Sequence, residues 1–511
     1  MARWRFTWAW AGMTGEVLDV APSFTETSDL YASLQGESSV RLVVRLRGIS
    51  SVAAVVNSGV PLFTGTGELY HGDQLVMSGR WSEESEYGAD DEPLTIVLSE
   101  SWEDDGGLWP PLGEAPRSTP AVLADELAGR RPGTVTPRTW PTKVYPAGQG
   151  AGYPYVIGSP GTSLLPGSPA PVVADGSVTA INVMVHAGPM RGTVTLWGTE
   201  KTADAATGTG VPSLISQSVT VSTSSDLLGC TCSVVAFNSA AVGYPGWSNG
   251  GGNYFVSFNG TASGAPSGAG AVALSALEVA TPRVDIGAAR AVAPLLDRYR
   301  LDGYVDDRVE PLQWLARQLV PILPVALVRG PFGATLTPWP WLDSATDAAY
   351  HLREGAGFAR ASGVTCSTKG APSLVRVMYG WCPSTGSYTG EVPAGAADTL
   401  QGRIAATLLP RSGGTRTIET RLVWDAATAS RIARDRISAL ALPRRTIAYQ
   451  CDPGLYGAGG RWELRAGLPL LLTDEGLRLS RAPAVVRRIE RAGDRMRVDL
   501  DLRDDGMHPA G

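Results

Sequence analysis

Apolar positions recur at every second residue along much of this chain. Trp4, Phe6, Trp8 and Trp10 open it at spacing two, which predicts one face of an aromatic β-strand. In 39–48, Val40, Leu42, Val44 and Leu46 keep that period while three arginines occupy the other register, the pattern of a half-buried antiparallel strand. Segments 67–80 and 93–100 alternate in the same way. Residues 111–165 break the alternation with Pro and Gly. A short helix is expected over 119–129, with Pro120 in its first turn and Gly129 at its end. From Arg138 to Pro169, prolines at short intervals force an extended, turning backbone.

Further along, TAINVMVHAG, GTVTLWGTE, SQSVTVSTS, CTCSVVAFNS and NYFVSFNG predict about five strands spaced like a β-sandwich. The period then changes. In 308–320, Val309, Leu312, Leu315, Ala316 and Leu319 fall on one helical face, with Pro311 in the first turn and Pro321 as the stop. PVALVRG and ATLTPWPWL around the turn PFG predict a β-hairpin. Segments 372–383 and 416–424 alternate as strands. Asp425 caps a predicted helix over 425–442, whose apolar face is Ala429, Ile432, Ala433, Ile437 and Leu440. TIAYQCD, RWELRAG, PLLLTDE, AVVRRIER and RMRVDLDLR follow as short strands separated by Gly-containing turns, the spacing of a small antiparallel barrel. The fold class expected is a β-rich, multi-domain α+β protein.

Composition sharpens this picture in three places. At 511 residues the chain is long enough for roughly three or four domains of ~100–150 residues. Charged residues make up 18% overall, but 161–280 hold only seven in 120, and Ser, Thr, Gly, Ala and Val dominate there. Those boundaries predict a β-sandwich-like module, 166–280, inserted into a host fold. The net charge of −6 is small for this length and does not supply the basic footprint of a general nucleic-acid binder. It divides unevenly, however: residues 1–120 carry 18 acids and 7 bases, and residues 401–511 carry 13 acids and 19 bases. Two unrelated solvated surfaces, or head-to-tail packing in an assembly, both fit that asymmetry.

Candidate chemistry is thin. Residues 83–105 hold ten acids and no base, which reads as a solvated loop; as a cation site the run lacks alternating ligands and a fixed Gly. Asp302, Asp306, Asp307 and Glu310 precede Trp314, and both a helix start and one half of a carboxylate pair fit them. Cys230 and Cys232 lie too close together, without a nearby His, for a zinc set, so buried thiols are expected. His351 and Cys366 would pair only by a coincidence of folding. Trp247, Tyr244 and Tyr254 suit either a sugar-binding face or a sandwich core. No nucleophile elbow, zinc-binding helix or phosphate loop is present, and no apolar run reaches the ~18 residues of a membrane helix. Neither a signal peptide nor an anchor is expected. No catalytic, cofactor-binding or metal-ligating residue is assigned, no cofactor is expected, and the chain reads as a non-enzyme.

Three stretches resemble a known family, the central tail hub or baseplate hub of long-tailed, siphovirus-type bacteriophages and gene transfer agents. GELYHGDQLVMSGRW…EYGADDEPLTIVLSE with DDGGLWPP is similar to the hub's first barrel. RTWP…GYPYVIGSPG, from Arg138 to Gly161, resembles the segment that follows that barrel. Tyr304-Val-Asp…Glu310-Pro-Leu-Gln-Trp-Leu…Leu323-Pro-Val, Gly330-Pro-Phe-Gly and Trp339-Pro-Trp341 resemble its helix-plus-hairpin domain. The helix and strands of 425–503 follow the family order, with one departure at Ala466-Gly467-Leu468-Pro469, where a Gly-acidic pair is expected. The resemblance spans roughly 390 residues and leaves 166–280 without a counterpart. It implies two small antiparallel β-barrel-like hub domains, a first one with its Pro-rich crossover at 1–165 and a second at 346–511, around a helix-plus-hairpin domain at 281–345. It further implies a homotrimer whose paired barrels form a pseudo-six-fold ring at the virion tail tip or baseplate, assembled in the host cytoplasm. The implied partners are a distal tail or tail tube protein, a tape measure protein and a central fibre or receptor-binding protein. Host attachment and DNA ejection follow, with no specific nucleic-acid binding; a host-surface glycan contact through 166–280 is the alternative that the module's own aromatics leave open beside a core role. The alternative is a carbohydrate-binding or carbohydrate-active multi-domain β protein. A peptidase or lysin has no residue set behind it.

Overall fold

The computed structural model describes residues 4–17, 20–28, 36–44, 51–88, 92–99, 109–110, 154–170, 172–174, 180–199, 214–224, 232–238, 254–258, 266–280, 284–305, 309–330, 333–339, 351–355, 357–367, 370–395, 403, 407, 414–441, 444–451, 464, 466–492 and 495–502. The helix expected over 119–129 lies outside these residues. So do Arg138 to Tyr153 of the proline-rich stretch, and most of RWELRAG, of which Leu464, Ala466 and Gly467 are described, the last two in a turn.

The aromatic alternation forms the first strand, Trp4–Trp10 (β1), with Phe6, Trp8 and Trp10 buried. It is followed by Met13–Val17 (β2), Val20–Ser28 (β3), Gly36–Val44 (β4), a short helix Val52–Asn57 (α1), Thr66–His71 (β5), Gln74–Trp81 (β6) and Leu94–Ser99 (β7). These strands pair antiparallel in the order β2-β1-β5-β6-β7-β4-β3. Large rings on adjacent strands need space across the sheet, and glycine supplies it. A Cβ on Gly67 would lie 2.5 Å from the Phe6 ring, and one on Gly15 would lie 2.8 Å from Trp8 Nε1.

Tyr155–Ile157 (β8) leads into the inserted module. Its strands are Ser168–Pro169 (β9), Val172–Ala174 (β10), Ala180–His186 (β11), Thr193–Thr199 (β12), Leu214–Thr220 (β13), Ser222–Ser224 (β14), Cys232–Asn238 (β15) and Tyr254–Ser257 (β16). They form two four-stranded antiparallel sheets, β10-β11-β15-β14 and β13-β12-β16-β9, around one apolar core. The five predicted strands are all present. Entry and exit are clamped together: the Gly167 N–H donates to Val256 O and the Phe258 N–H to Pro160 O.

Helix Ala269–Val279 (α2) falls inside the 166–280 boundary, yet its buried residues belong to a different core. That core is shared with Ile286–Leu296 (α3), Pro311–Trp314 (α4) and the hairpin Val325–Gly330 (β18) with Gly333–Pro338 (β19). Gly303–Val305 (β17) precedes α4 and pairs with β8. The expected 308–320 helix begins at Pro311 and widens into a π-turn over Leu315–Leu319, where the Val320 N–H donates to Leu315 O. Val309 is not on its face; it exchanges both backbone hydrogen bonds with Trp109.

The chain returns to the barrel wall with His351–Arg353 (β20), Phe358–Arg360 (β21) and Thr365–Ser367 (β22). It leaves again for Leu374–Cys382 (β23), Ser387–Ala394 (β24), Thr415–Glu419 (β25) and helix Ala426–Leu440 (α5), and closes with Arg444–Cys451 (β26), Pro469–Asp474 (β27), Leu479–Ala492 (β28) and Arg495–Leu502 (β29). Asp425 caps α5 as expected, accepting from the Thr428 N–H at 2.8 Å. The apolar face of α5 does not pack in the second barrel: Ala429, Ile432, Ala433, Ile437 and Leu440 join the core of α2, α3 and β18, over the sheet β24-β23-β25.

The two curled half-barrels are one sheet. β3 pairs antiparallel with β28, from Arg488 opposite Thr27 to Ala492 opposite Ser23, so that the order runs β2-β1-β5-β6-β7-β4-β3-β28-β29-β26-β21. Phe6, Trp10, Leu42 and Ile96 of the first share one core with Phe358, Tyr449, Leu472 and Val498 of the second. The protein is a β-rich multi-domain α+β fold with three cores, two of them built from segments far apart in sequence.

Candidate assembly interface

The seam strand β28 carries Arg488 and Glu490 on the face away from the core, and β29 carries Arg497 and Asp499 opposite them. Arg488 pairs with Glu490, and Arg497 with Asp499 at 2.9 Å. This outer face is charged but internally compensated. The two ends of the sheet differ. β2 borders β1 on one side, and Thr14 and Glu16 are exposed. At the far end, Thr365, Cys366 and Ser367 of β22 are exposed while the strand pairs with β26. Among the described residues no strand covers the outer side of β2 or β22. Backbone groups on such edges accept another strand.

The sandwich is attached through side chains of the host fold. Val156 and Tyr304 are buried in its core, and Trp381 packs against it with Arg421 stacked 4.3 Å above the indole. A one-residue register shift in β11 between Met184 and His186 marks a bulge, a device that re-aims side chains. His186 is 2% exposed, and its Nδ1 accepts from the Val156 N–H at 2.9 Å. That bond requires the neutral ring with the proton on Nε2, and burial lowers its pKa from 6.5 to about 4. Nothing in the spacing of the sequence marks His186; the strand alternation around it is the only signal.

Asp302, one of the acids weighed for chemistry, serves as a fastener. Asp302 is 2% exposed, accepts from the Ser159 N–H at 2.7 Å and pairs with Arg300 at 2.8 Å, tying the sandwich entry to β17. Glu310 stands at the N-cap position of α4, and Asp306 and Asp307 lie outside the described residues. Within the acidic run, Glu86 exchanges backbone hydrogen bonds with Thr95 and pairs with Arg41 at 3.7 Å. Among the described residues no cluster of three His, Cys, Asp or Glu could hold a metal. Tyr254 is 4% exposed and belongs to the sandwich core, while Tyr244 and Trp247 lie outside the described residues. Cys232 is buried and forms no disulfide among the described residues, and Cys230 lies outside them. His351 Nε2 bonds Thr473 Oγ1 at 2.8 Å on one strand pair, and Cys366 lies on another. No described helix is long and apolar enough to cross a membrane.

Two buried charged groups carry no sequence signal. Arg436 of α5 is 1% exposed; it donates to Val320 O and to Leu323 O, the latter at 2.7 Å, and lies 4.5 Å over the Trp339 ring. Burial pushes its pKa down to about 9. Asp474 accepts from Arg360 at 2.6 Å, Tyr449 Oη at 2.6 Å and the Leu477 N–H at 2.9 Å. Burial alone would raise its pKa, and these donors reverse the direction.

No protein-family model and no curated protein matches the chain. Among solved structures it is similar to the 43 kDa tail protein of prophage MuSo2 from Shewanella oneidensis, at 11% identity and a TM-score of 0.39 over 98% of this chain and 99% of that one. It is similar to the tail protein from Neisseria meningitidis MC58 at 9% identity and a TM-score of 0.38, covering 99% and 98% of the two chains. A third similarity, at 12% identity and a TM-score of 0.39, covers 72% of this chain and 88% of a chain in the virion of a native gene transfer agent particle.

Proposed function

We propose that the chain is a structural component of a phage tail tip or baseplate, without enzymatic activity. In this reading it is a trimeric hub that closes the tail tube, links it to tip fibres or receptor-binding parts, and encloses the channel for tape measure and DNA. The observation that carries it is the seam: two half-barrels of one chain lie in one sheet, with an exposed strand at each end. One end strand, β2, lies in the acidic stretch, and the other, β22, pairs with β26 of the basic one. A subunit with unlike ends closes into a ring by head-to-tail contacts if the rotation permits. The fastening roles of Asp302, Asp474 and His186 favour a scaffold over a catalyst. The inserted module in this reading is the sandwich β9–β16, with α2 counted in the host fold.

Mass photometry of the purified chain, alone and with tail partners, tests the proposal. A trimer in either condition is expected. A strict monomer in both contradicts it.

A further inference from the structure

We propose that His186 is an acid-released latch between the inserted sandwich and the rest of the chain. The splice is small and local. β8 pairs with β17 of the host fold on one side. On the other it meets the end of β11, where the Val156 N–H donates to His186 Nδ1 at 2.9 Å and the Ala187 N–H donates to Pro154 O at 2.9 Å. The first bond needs the lone pair of a neutral ring. Protonating Nδ1 removes that acceptor and sets a cationic N–H against the amide N–H it had satisfied, in a buried place.

Among the described residues, the titratable groups around the ring are neutral or of the same sign. From β8 the titratable neighbour is Tyr155, whose ring lies 5.0 Å away and whose own pKa is raised by burial. From β17 it is Tyr304, and from β15 it is Cys232 beside Ser233, the residue opposite His186. Arg191, in the turn after β11, is exposed and of the same sign. Burial is what depresses the His186 pKa. Between the free value of 6.5 and about 4, an opened joint binds a proton that the closed joint does not, so acid favours opening.

The test is hydrogen exchange on the full-length chain from pH 7 to pH 3.5, corrected for intrinsic rates, with the four histidines followed by NMR of the labelled rings. His186→Asn keeps an oxygen near the Nδ1 position and does not titrate. Protection of the Val156 and Ala187 amides is expected to fall about a hundredfold at the acid end, while β12 stays protected. The fall should begin near pH 6.5 and level off at the His186 titration near 4, and His186→Asn should show none of it. Equal loss in both proteins, no loss in the wild type, or a His186 titration near 6.5 would overturn the latch. Should His186→Asn not fold, the wild-type curves decide: a fall that levels off at the His186 titration supports the latch, and one that continues below it or is complete well above it overturns it.

Discussion

Arg436 shows how much of this fold is held by single buried groups. Its guanidinium closes the carbonyl end of the π-turn through Val320 and Leu323, across more than a hundred residues of chain. Removing it leaves two buried carbonyl acceptors unpaired, at about 1–3 kcal/mol each, so Arg436→Ala should strongly lower the thermal midpoint of the α2–α5 core, read by calorimetry. Arg436→Met fills the volume without a charge and should lose clearly less. Asp474 makes a second prediction with a defined sign. Its pKa is below the free value of 3.8 in the folded chain, so its stabilisation is present at neutral pH and is lost as pH falls below that value. Asp474→Asn should therefore lower stability at pH 7 and narrow the gap between pH 7 and pH 3, seen in denaturant midpoints at the two pH values. Neither residue was legible beforehand. An Arg on a predicted helix face and an Asp before a Gly turn both look like solvated positions, and only tertiary packing buries them.

At the scale of elements, local chemistry was largely readable. Alternation located β1, β4 and the β18–β19 hairpin, and Asp425 marked the start of α5 together with its cap. Asp425→Ala should cost about 1–2 kcal/mol, because two backbone N–H groups and the Thr428 hydroxyl lose their acceptor. Two glycines should separate packing from propensity. A Cβ on Gly270 would lie 2.1 Å from Ala293 O, where α2 and α3 touch, so Gly270→Ala should destabilise by about 1–3 kcal/mol. Gly287 of α3 has only a side-chain oxygen at 3.4 Å, and Gly287→Ala should stabilise by about 0.4–1 kcal/mol. Chemical denaturation of the two variants checks both signs. What periodicity missed was the widening of α4 into a π-turn and the identity of α2. A sequence period reports which side is apolar, not which neighbour covers it.

On the scale of the whole molecule, the difficulty was topology. Charge-poor composition located the sandwich, and its strands are where the spacing put them, but the low-charge block ran on into α2, an Ala-rich helix of the host core. Similarly, α5 precedes the last barrel strands in sequence and packs elsewhere. Chain order suggested domains in series; the chain instead weaves twice between the barrel wall and the helical core, and each crossing returns to a sheet already begun. The β3–β28 seam joins residues more than 450 positions apart and could not be inferred from either strand alone. The seam underlies the ring proposal, since it joins two half-barrels of one chain in a single sheet with an uncovered strand at each end among the described residues. A cryo-electron map of particles assembled with the tagged chain tests this most directly. Three copies around the tail axis at the tip, each contributing two adjoining half-barrels to one ring, are the predicted result. A map without the chain at the tip, or with its half-barrels apart and outside any ring, would contradict it.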